Sequence, residues 1–469
     1  MKTRSRFALL PAVLFSATVG LAATPPNIVY ILADDLGYGD LGCYGQLKVG
    51  TPHIDRLAAE GMRFTQHYAG NTVCAPSRSA LLEGKHTGHT AVRSNNADQL
   101  LRAESITLAE SLKAAGYRTG IVGKWGVGHP PPPDDPLRNG FDFAYGYVNM
   151  WHAHNCFPEF LYRNGEKILL EGNRLDPAYP FDGMPEGTGV AIDRVVYAPD
   201  RIQEEALAFI DRNRAGPFFL YVALNLPHDN GEARRVHGDG NEVPDCGSYA
   251  DRDWPTPHKE FARMMQHVDD LVGAIEVRLQ ALGLDQNTLV AFSSDNGPHV
   301  GTQDSNTFFD RNGPLRGTKR DLYEGGLRVP LIVKWPGQVE PGATSGHVSA
   351  MWDIFPTFAA AAGAEVPGDI DGISFLPTLL GNPPQPGHAY LYWEFYEQGG
   401  KQAVRQGDWK AVRTHVRDDQ PVLVELFDLA KDPGETTDLS ATFPDVTAGL
   451  LTLMAEAHQP VDSIDLFGY

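Results

Sequence analysis

The chain has 469 residues, long enough for a large hydrophobic core, and this length favours two domains over one. Its formal net charge of −20 makes it a poor candidate for binding nucleic acid or an anionic membrane surface, so we expect neither partner. The composition is that of a globular protein, without repeats or low-complexity tracts.

The first residues have the pattern of a secretory signal peptide. Lys2, Arg4 and Arg6 precede an apolar run over residues 7–22, which ends in small residues. We therefore expect residues 1–23 to be removed and the protein to be secreted or periplasmic. No later stretch is apolar enough to span a bilayer, so no membrane span is expected.

Continuous apolar, β-rich runs alternate with helical patterns through the first 380 residues. Buried strands are predicted at 27–33, 117–122, 217–224, 288–293 and 331–334. Helices are predicted at 200–213, 261–282 and 353–362. This alternation predicts an α/β domain over 24–380, with a mostly parallel central sheet flanked by helices.

A Gly- and Pro-rich linker at 381–387 separates this region from a different pattern. Short alternating runs at 389–393, 409–413 and 422–428 predict a small antiparallel sheet, and a helix is predicted at 447–458. We therefore expect a C-terminal subdomain over 381–469. No plausible catalytic cluster lies in that segment.

Four of the predicted strands are followed by polar residues: Asp34 and Asp35, Lys124, His228, and Asp295 with Asn296. Parallel strands deliver their carboxyl ends to one edge of a sheet, where open α/β sheets place ligand sites. Carboxylate and amide oxygens without a Cys or His cluster indicate Ca²⁺, with Mg²⁺ second, rather than zinc. Flanking cations would clamp a tetrahedral oxyanion such as sulfate or phosphate.

The stretch from Cys74 to Lys85 (CAPSRSALLEGK) predicts a helix that starts near Pro76 and ends at Gly84. Cys74 would then lie beside unpaired N–H groups, with Arg78 about one turn further on. A lone Cys before a helix is more often a small buried hydrophobe than a nucleophile. The residues that follow Cys74 change that expectation.

Cys74-x-Pro76-Ser77-Arg78, followed by Leu82 and Gly84, resembles the signature of the type I sulfatases. Lys85 stands where that family usually has Arg. The resemblance extends from residue 27 to about 439 and includes the blocks at 34–35, 123–125, 227–228, 295–297 and 324–330. It implies an alkaline phosphatase-like fold with a small C-terminal subdomain, and hydrolysis of a sulfate ester.

The resemblance also implies the chemistry of the site. In the family, a maturation enzyme oxidises the Cys to Cα-formylglycine, which reacts as its hydrate, so Cys74 would be the precursor of the nucleophile. Ca²⁺ would be held by Asp34, Asp35, Asp295, Asn296 and residue 74. Arg78 would hold the hydrate, Lys124 and Lys319 would bind sulfate oxygens, and His228 would protonate the leaving alcohol.

One position departs from the family pattern. Many relatives have His after Gly-Lys-Trp, where this chain has Gly126. The family role of that His is to hydrogen-bond the hydrate and help it eliminate sulfate. His129, His152 and His154 are candidates for the vacant role.

Aromatic and His residues crowd the segment that contains Trp151, His152 and His154. They form either a small satellite core or a wall beside the pocket on which a sugar stacks. Together with the acidic surface, the second possibility favours a sulfated carbohydrate as substrate. The polar stretch 229–257 is expected to be a variable loop over the site.

Two other functions are compatible with parts of the sequence. A metal-dependent phosphatase or phosphodiesterase of the same fold would normally use Ser or Thr and a zinc site richer in His. A secreted sulfoglycan-binding protein with an inactive site is supported only by Gly126. If Cys74 is converted, Cys43, Cys156 and Cys246 remain and form at most one disulfide.

Overall fold

The computed structural model describes residues 25–95, 99–128, 133–178, 183–301 and 304–461. The predicted signal peptide and His129 lie outside the described residues. Within those ranges, none of the helices combines the length and the apolar character that crossing a membrane requires.

The strands and helices are numbered in chain order. The strands are β1 Asn27–Ala33, β2 Met62–Tyr68, β3 Arg118–Lys124, β4 Phe143–Tyr147, β5 Phe160–Arg163, β6 Glu166–Leu169, β7 Arg174–Leu175, β8 Ala191–Asp193, β9 Phe218–Ala223, β10 Thr288–Ser294, β11 Arg328–Lys334, β12 Ala343–Ser345, β13 Ser349–Ala350, β14 Leu391–Phe395, β15 Lys401–Gln406, β16 Trp409–Thr414 and β17 Leu423–Asp428. The helices are α1 Pro52–Ala59, α2 Cys74–Glu83, α3 Leu108–Ala114, α4 Asp135–Arg138, α5 Ala198–Asn213, α6 Gly231–His237, α7 Thr256–Ala281, α8 Ser305–Phe309, α9 Glu324–Leu327, α10 Ile354–Ala362, α11 Leu376–Leu379 and α12 Pro444–Ala457.

The large sheet has the strand order β12-β2-β11-β10-β1-β9-β3-β4-β5-β6, with β13 also paired to β2. Its centre is parallel: β1 pairs with β10 on one side and β9 on the other, and β3 pairs with β9 and β4. The strands β11, β5 and β6 add antiparallel pairs towards both edges. The sheet therefore has the mostly parallel centre that the sequence predicts.

The two faces of the sheet are buried in two separate hydrophobic cores. Alternate residues of β1 divide between them: Val29 and Ile31 belong to one core, and Tyr30 and Leu32 to the other. Helices α5 and α7 supply the first core, and α3 and α10 supply the second. Burial on both faces explains why β1 is a continuous apolar run.

The strands β14, β15, β16 and β17 form an antiparallel sheet in that order. One face packs, through residues such as Trp393 and Phe427, on Tyr68 at the end of β2. The helix α12 covers the other face. Two buried pairs reinforce the first contact, because Lys410 Nζ lies 2.9 Å from a carboxylate oxygen of both Glu324 and Glu435.

Three local expectations differ from the structure. The stretch 229–257 contains the helix α6, whose N-cap is Asn230. The Oδ1 atom of Asn230 accepts hydrogen bonds from the N–H groups of Glu232 and Ala233. The helix α7 begins at Thr256, because Pro257 suits its first turn. The strand β15 was not expected. The four cysteines are unpaired.

Candidate active site

Polar residues that follow the central strands meet at one edge of the sheet. Asp34 and Asp35 follow β1, Lys124 ends β3, and Asp295 follows β10. All four are buried with no exposed surface. Asp35 has a φ of 63°, a left-handed conformation that is uncommon for a non-glycine residue and is typical of functional sites.

Cys74 is the first residue of α2 and reaches the same edge. Its Sγ lies 3.3 Å from Oδ1 of Asp34 and 3.5 Å from Nζ of Lys319. Burial, followed by the charge of Asp34, raises the pKa of the Cys74 thiol to about 12. An unmodified thiol here stays protonated near neutral pH and is a poor nucleophile.

Arg78 lies one turn along α2 and is bound on both sides. Its Nε and Nη2 donate to Oδ2 of Asp295 at 3.0 and 2.9 Å, and its Nη1 donates to the carbonyl of Lys124 at 2.8 Å. These contacts tie α2 to the ends of β10 and β3. The guanidinium is therefore held beside Cys74 in one orientation.

Two lysines neutralise the adjacent aspartates. Lys124 Nζ lies 2.6 Å from Oδ2 of Asp34, and Lys319 Nζ lies 2.8 Å from Oδ2 of Asp35. Burial alone would raise the pKa of Asp34, but the charges of Lys124 and Arg78 outweigh it and hold that pKa well below its usual range. Burial opposes ionisation of Asp35 too, yet Lys319 lowers its pKa. Both carboxylates are therefore ionised at neutral pH.

The oxygen atoms at this edge form a donor set for a hard cation. Ligand atoms of Asp34, Asp35, Cys74 and His228 all lie within 4.8 Å of one another. Asn296 donates through Nδ2 to Asp35 at 2.7 Å, while its buried Oδ1 has no hydrogen-bond partner. A buried amide oxygen without a donor is the environment that a metal ion satisfies.

Asp295 adds a third carboxylate to the same edge. Burial, and then the charge of Asp34, raise the pKa of Asp295 to about 7. Crowded carboxylates of this kind repel one another, and a divalent cation removes that repulsion.

His228 lies beside Lys319 at the mouth of the cluster. Its Nδ1 lies 2.6 Å from the carbonyl oxygen of Asp229 and donates to it, which leaves Nε2 to accept from Lys319 Nζ at 3.0 Å. Burial, followed by the charge of Lys319, holds the pKa of His228 well below its usual range. The ring is therefore neutral, with its acceptor nitrogen facing an ammonium.

Gly126 lies against two of these side chains. Its φ is +71°, and a Cβ at this position would lie 2.8 Å from Cδ of Arg78 and 3.2 Å from Cε of Lys124. Arg78 is immobilised by its hydrogen bonds and has little freedom to move aside. A side chain at position 126 would therefore be strained and would require Arg78 to shift from this position.

A cavity of about 460 Å³ opens above the cluster. His228 and Lys319 form its floor, and Trp151 and His154 contribute to its wall. The His154 ring stacks on that of His228, with centroids 4.5 Å apart, and its Nδ1 lies 3.1 Å from Glu232.

The structure places His152 elsewhere. Its ring is completely buried and packs on Tyr147 and Phe160, outside the cavity lining. The crowded segment is thus both a small aromatic core and part of the cavity wall.

Several lining residues were missed by the sequence reasoning. Those on α6 include Arg234 and Arg235, and those from loops between strands of the C-terminal sheet include Tyr396, Glu397 and Arg417. The expectation that the C-terminal segment carries no catalytic cluster overlooked its contribution to the cavity wall. The only available signal was charge, since Arg320 directly follows Lys319 and two adjacent arginines occur at 234–235.

The fold and this edge define an enzyme of the alkaline phosphatase-like α/β class. Comparisons with known proteins identify the family. The sulfatase family model matches residues 26–364, and the model of the C-terminal region of N-sulphoglucosamine sulphohydrolase matches residues 317–458. The chain belongs to the sulfatase family, in its type I branch, and is a sulfuric ester hydrolase.

Relatives and solved structures agree with this assignment. N-acetylgalactosamine-6-sulfatase of Sus scrofa is 33% identical over 493 residues, which cover 95% of this chain and 88% of that protein. Arylsulfatase A of Homo sapiens is 33% identical, over 91% of this chain and 86% of that protein. The crystal structure of Ps i-CgsB superposes with a TM-score of 0.76 at 28% identity, covering 93% of this chain and 94% of that one.

Proposed function

We propose that this protein hydrolyses the sulfate ester of a carbohydrate, using a Cα-formylglycine made from Cys74 and one Ca²⁺ ion. The observation that carries the proposal is the position of Cys74 at the start of α2, between the carboxylate of Asp34 and the ammonium of Lys319. The unmodified thiol is unsuited to attack because burial raises its pKa. As a hydrate, formylglycine supplies the attacking oxygen that a protonated thiol does not.

The donor set fits Ca²⁺. Asp34, Asp35 and Asp295 supply carboxylate oxygens, and Asn296 supplies the amide oxygen that has no other partner. Residue 74 would complete the set. When bound, Ca²⁺ supplies positive charge to the oxygens of the nucleophile and the sulfate. Flexible coordination by oxygen ligands suits Ca²⁺ better than Mg²⁺.

The remaining side chains divide the work of binding and orientation. Arg78 is held by Asp295 beside residue 74, where its guanidinium orients the hydroxyls of the hydrate. Lys124 and Lys319 each carry an ammonium at the edge of the cluster, positioned to bind sulfate oxygens. Both cations are buried, so their attraction for an anion is stronger than it would be in water.

The leaving alcohol needs a proton, and His228 supplies it. His228 is neutral in the free site, where its Nε2 accepts from Lys319; the negative charge of a bound sulfate favours the imidazolium form, whose Nε2–H then donates to the leaving oxygen. The carbonyl of Asp229 holds Nδ1 and fixes this tautomer. His228 thereby acts as the general acid.

A carbohydrate is the substrate class that the cavity favours. Trp151 and His154 offer ring surfaces beside the floor of the cavity, and the volume of about 460 Å³ is within the range of small-molecule sites. A relative is named N-acetylgalactosamine-6-sulfatase, and Ps i-CgsB was solved in complex with k-i-k-neocarrahexaose. The large ring of Trp151 also suits stacking on a sugar.

Secretion and maturation belong to the same proposal. The signal peptide pattern of residues 1–23 directs the chain out of the cytoplasm, and a formylglycine-generating enzyme converts Cys74 as a transient partner. Protein collected outside the cell should begin near residue 23, as N-terminal sequencing would show.

The test is mass spectrometry of the peptide that contains Cys74, from protein made with a formylglycine-generating enzyme. Conversion lowers the peptide mass by about 18 Da. Release of sulfate from 4-nitrophenyl sulfate and from sulfated sugars is measured on the same sample, alongside Cys74→Ala and a matched Cys246→Ala variant at a half-exposed thiol.

We expect converted protein to release sulfate, Cys74→Ala to be inactive, and Cys246→Ala to be as active as the parent. Chelation should abolish activity and added Ca²⁺ restore it. Full activity of Cys74→Ala would refute the nucleophile. Faster turnover of phosphate esters than of sulfate esters would favour a phosphatase, and a persistent thiol without turnover would favour a binding protein.

A further inference from the structure

The wall of the active-site cavity is more basic than the protein as a whole. Five of its lining residues are Arg or Lys and three are Asp or Glu, whereas the chain carries a net charge of −20. A local excess of cations in an acidic protein marks a place that receives an anion.

The three lining carboxylates already have partners within the wall. Asp229 lies 3.0 Å from Nη1 of Arg234, and Glu397 is paired with Arg320. Glu232 is paired with the ring of His154 at 3.1 Å. Each carboxylate of the wall is therefore paired with another residue of the same wall.

Arg235 and Arg417 are left over from this pairing. Within the described part of the chain, neither side chain forms an ion pair, and both line the cavity while remaining exposed to solvent. Lys319 is bound to Asp35 at the floor and belongs to the cluster around residue 74. The two free guanidiniums are therefore separate from the cations assigned to the cleaved sulfate.

The two arginines come from different parts of the chain. Arg235 lies on α6, and the N-cap residue Asn230 fixes the start of that helix. Arg417 lies in the loop between β16 and β17 of the C-terminal sheet. The cavity is thus the place where both regions present an unpaired cation.

The loop that carries Arg417 is held in place by its backbone. The N–H of Arg417 donates to the carbonyl of Gly399 at 2.8 Å, and the N–H of Val416 donates to that of Gly400 at 3.3 Å. His415 adopts a left-handed φ of 59°, and a Cβ at Gly399 would collide with Asp418. Such close packing of two turns fixes where Arg417 emerges.

We propose that Arg235 and Arg417 form a subsite for a second anionic group of the substrate, a carboxylate or a further sulfate on the glycan. The inference rests on the proposed function, since it names the class of glycan sulfate that the same cavity accepts. A guanidinium matches the planar carboxylate and the oxygens of sulfate through paired N–H donors. The preferred substrate then carries at least two negative charges.

The experiment is calorimetric binding of matched sugar pairs to the Cys74→Ala protein, which does not turn them over. One pair is a monosulfated uronate-containing disaccharide and its methyl ester. The other pair is D-glucosamine 2-N,6-O-disulfate and N-acetyl-D-glucosamine 6-O-sulfate, in which a neutral amide replaces the N-sulfate. Each sugar is measured against the Cys74→Ala protein and against the same protein that also carries both Arg235→Ala and Arg417→Ala. Arg214→Ala is the matched control, because this exposed arginine precedes β9 at the opposite edge of the sheet.

We expect the dianionic member of one pair to bind more tightly than its partner sugar. In the double variant, the affinity for this dianionic sugar should fall about tenfold. The pair in which the double variant loses this affinity shows whether the subsite binds a carboxylate or a second sulfate. Equal losses for both members of each pair, no loss, or the same loss in Arg214→Ala would overturn the subsite. If the parent protein releases no sulfate, the proposed function fails, while this binding result still decides the subsite.

Discussion

The Nζ atom of Lys319 lies 3.0 Å from Nε2 of His228, so an ammonium donates to the nitrogen that faces the cavity. The other ring nitrogen donates to the carbonyl of Asp229, which fixes the neutral tautomer. Under the proposed function, His228 is the general acid once a bound sulfate favours its protonation, while the raised pKa of Lys319 keeps that side chain an ammonium.

His228→Ala should reduce turnover of sugar sulfates about 100-fold or more, since general acid catalysis contributes on that scale. Turnover of 4-nitrophenyl sulfate should fall much less, because nitrophenolate leaves without protonation. The ratio of the two kcat values measures the effect. His237→Ala, at the exposed end of α6, is the control. Equal losses on both substrates would show that His228 does not protonate the leaving group.

Gly126→Ala should destabilise the protein more than Gly116→Ala. Both glycines have positive φ, but a Cβ at Gly116 meets nothing within 4 Å, whereas one at Gly126 meets Arg78 at 2.8 Å. We expect about 1 kcal/mol from backbone strain at either site, and about 1–3 kcal/mol more at Gly126 from overpacking. Urea unfolding gives both values. Equal losses would mean that Arg78 moves freely.

Lys410→Met should cost about 3 kcal/mol or more of unfolding free energy. The substitution leaves Glu324 and Glu435 buried without their shared cation, and removal of one member of a buried ion pair is strongly destabilising. Lys431→Met is the matched control: Lys431 is exposed and pairs with Asp428 at the surface, where such pairs contribute little. Thermal unfolding of both variants tests the difference, and similar losses would contradict it.

Stability should fall between about pH 5 and pH 7 in part because of Glu242. Burial raises the pKa of Glu242 to about 7, above the ordinary value of 4.5 that it has in the unfolded chain. The folded state binds more protons in that window, so its contribution to stability is present below the unfolded pKa and is lost as the pH rises. The contribution is about 1–3 kcal/mol.

Glu242→Gln should flatten this part of the stability profile. Urea unfolding of the parent and the variant at pH 5, 6, 7 and 8 measures it, and Glu171→Gln serves as an exposed control. A parent profile that rises with pH, and a variant that runs parallel to the parent, would contradict the assignment.

Much of the fold was predictable because its central strands are buried on both faces. The run at residues 27–33 is apolar throughout and forms β1 with the same bounds. The C-terminal sheet was predicted from alternating runs, but β15 was missed because its sequence, KQAVRQ, carries polar residues on an otherwise buried strand. The division into domains at residue 380 stays a prediction.

Those residues of the candidate site that lie in a short motif or directly after a strand could be predicted from the sequence. Cys74 and Arg78 stand in one motif, and Asp34 and Asp295 follow obvious strands. His152 and His154 are two residues apart and could not be told apart by sequence, yet one packs in the aromatic core and the other lines the cavity.

By itself, the sequence determined the family and the fold class and predicted the residues of the site, because motifs and periodic burial are local properties. Only the tertiary structure decided which groups share a hydrogen bond or a cavity wall. Lys319 lies 91 residues from His228, and Arg417 reaches the cavity from a separate sheet. Contacts between residues so distant along the chain depend on the packing of whole elements, which no local pattern records.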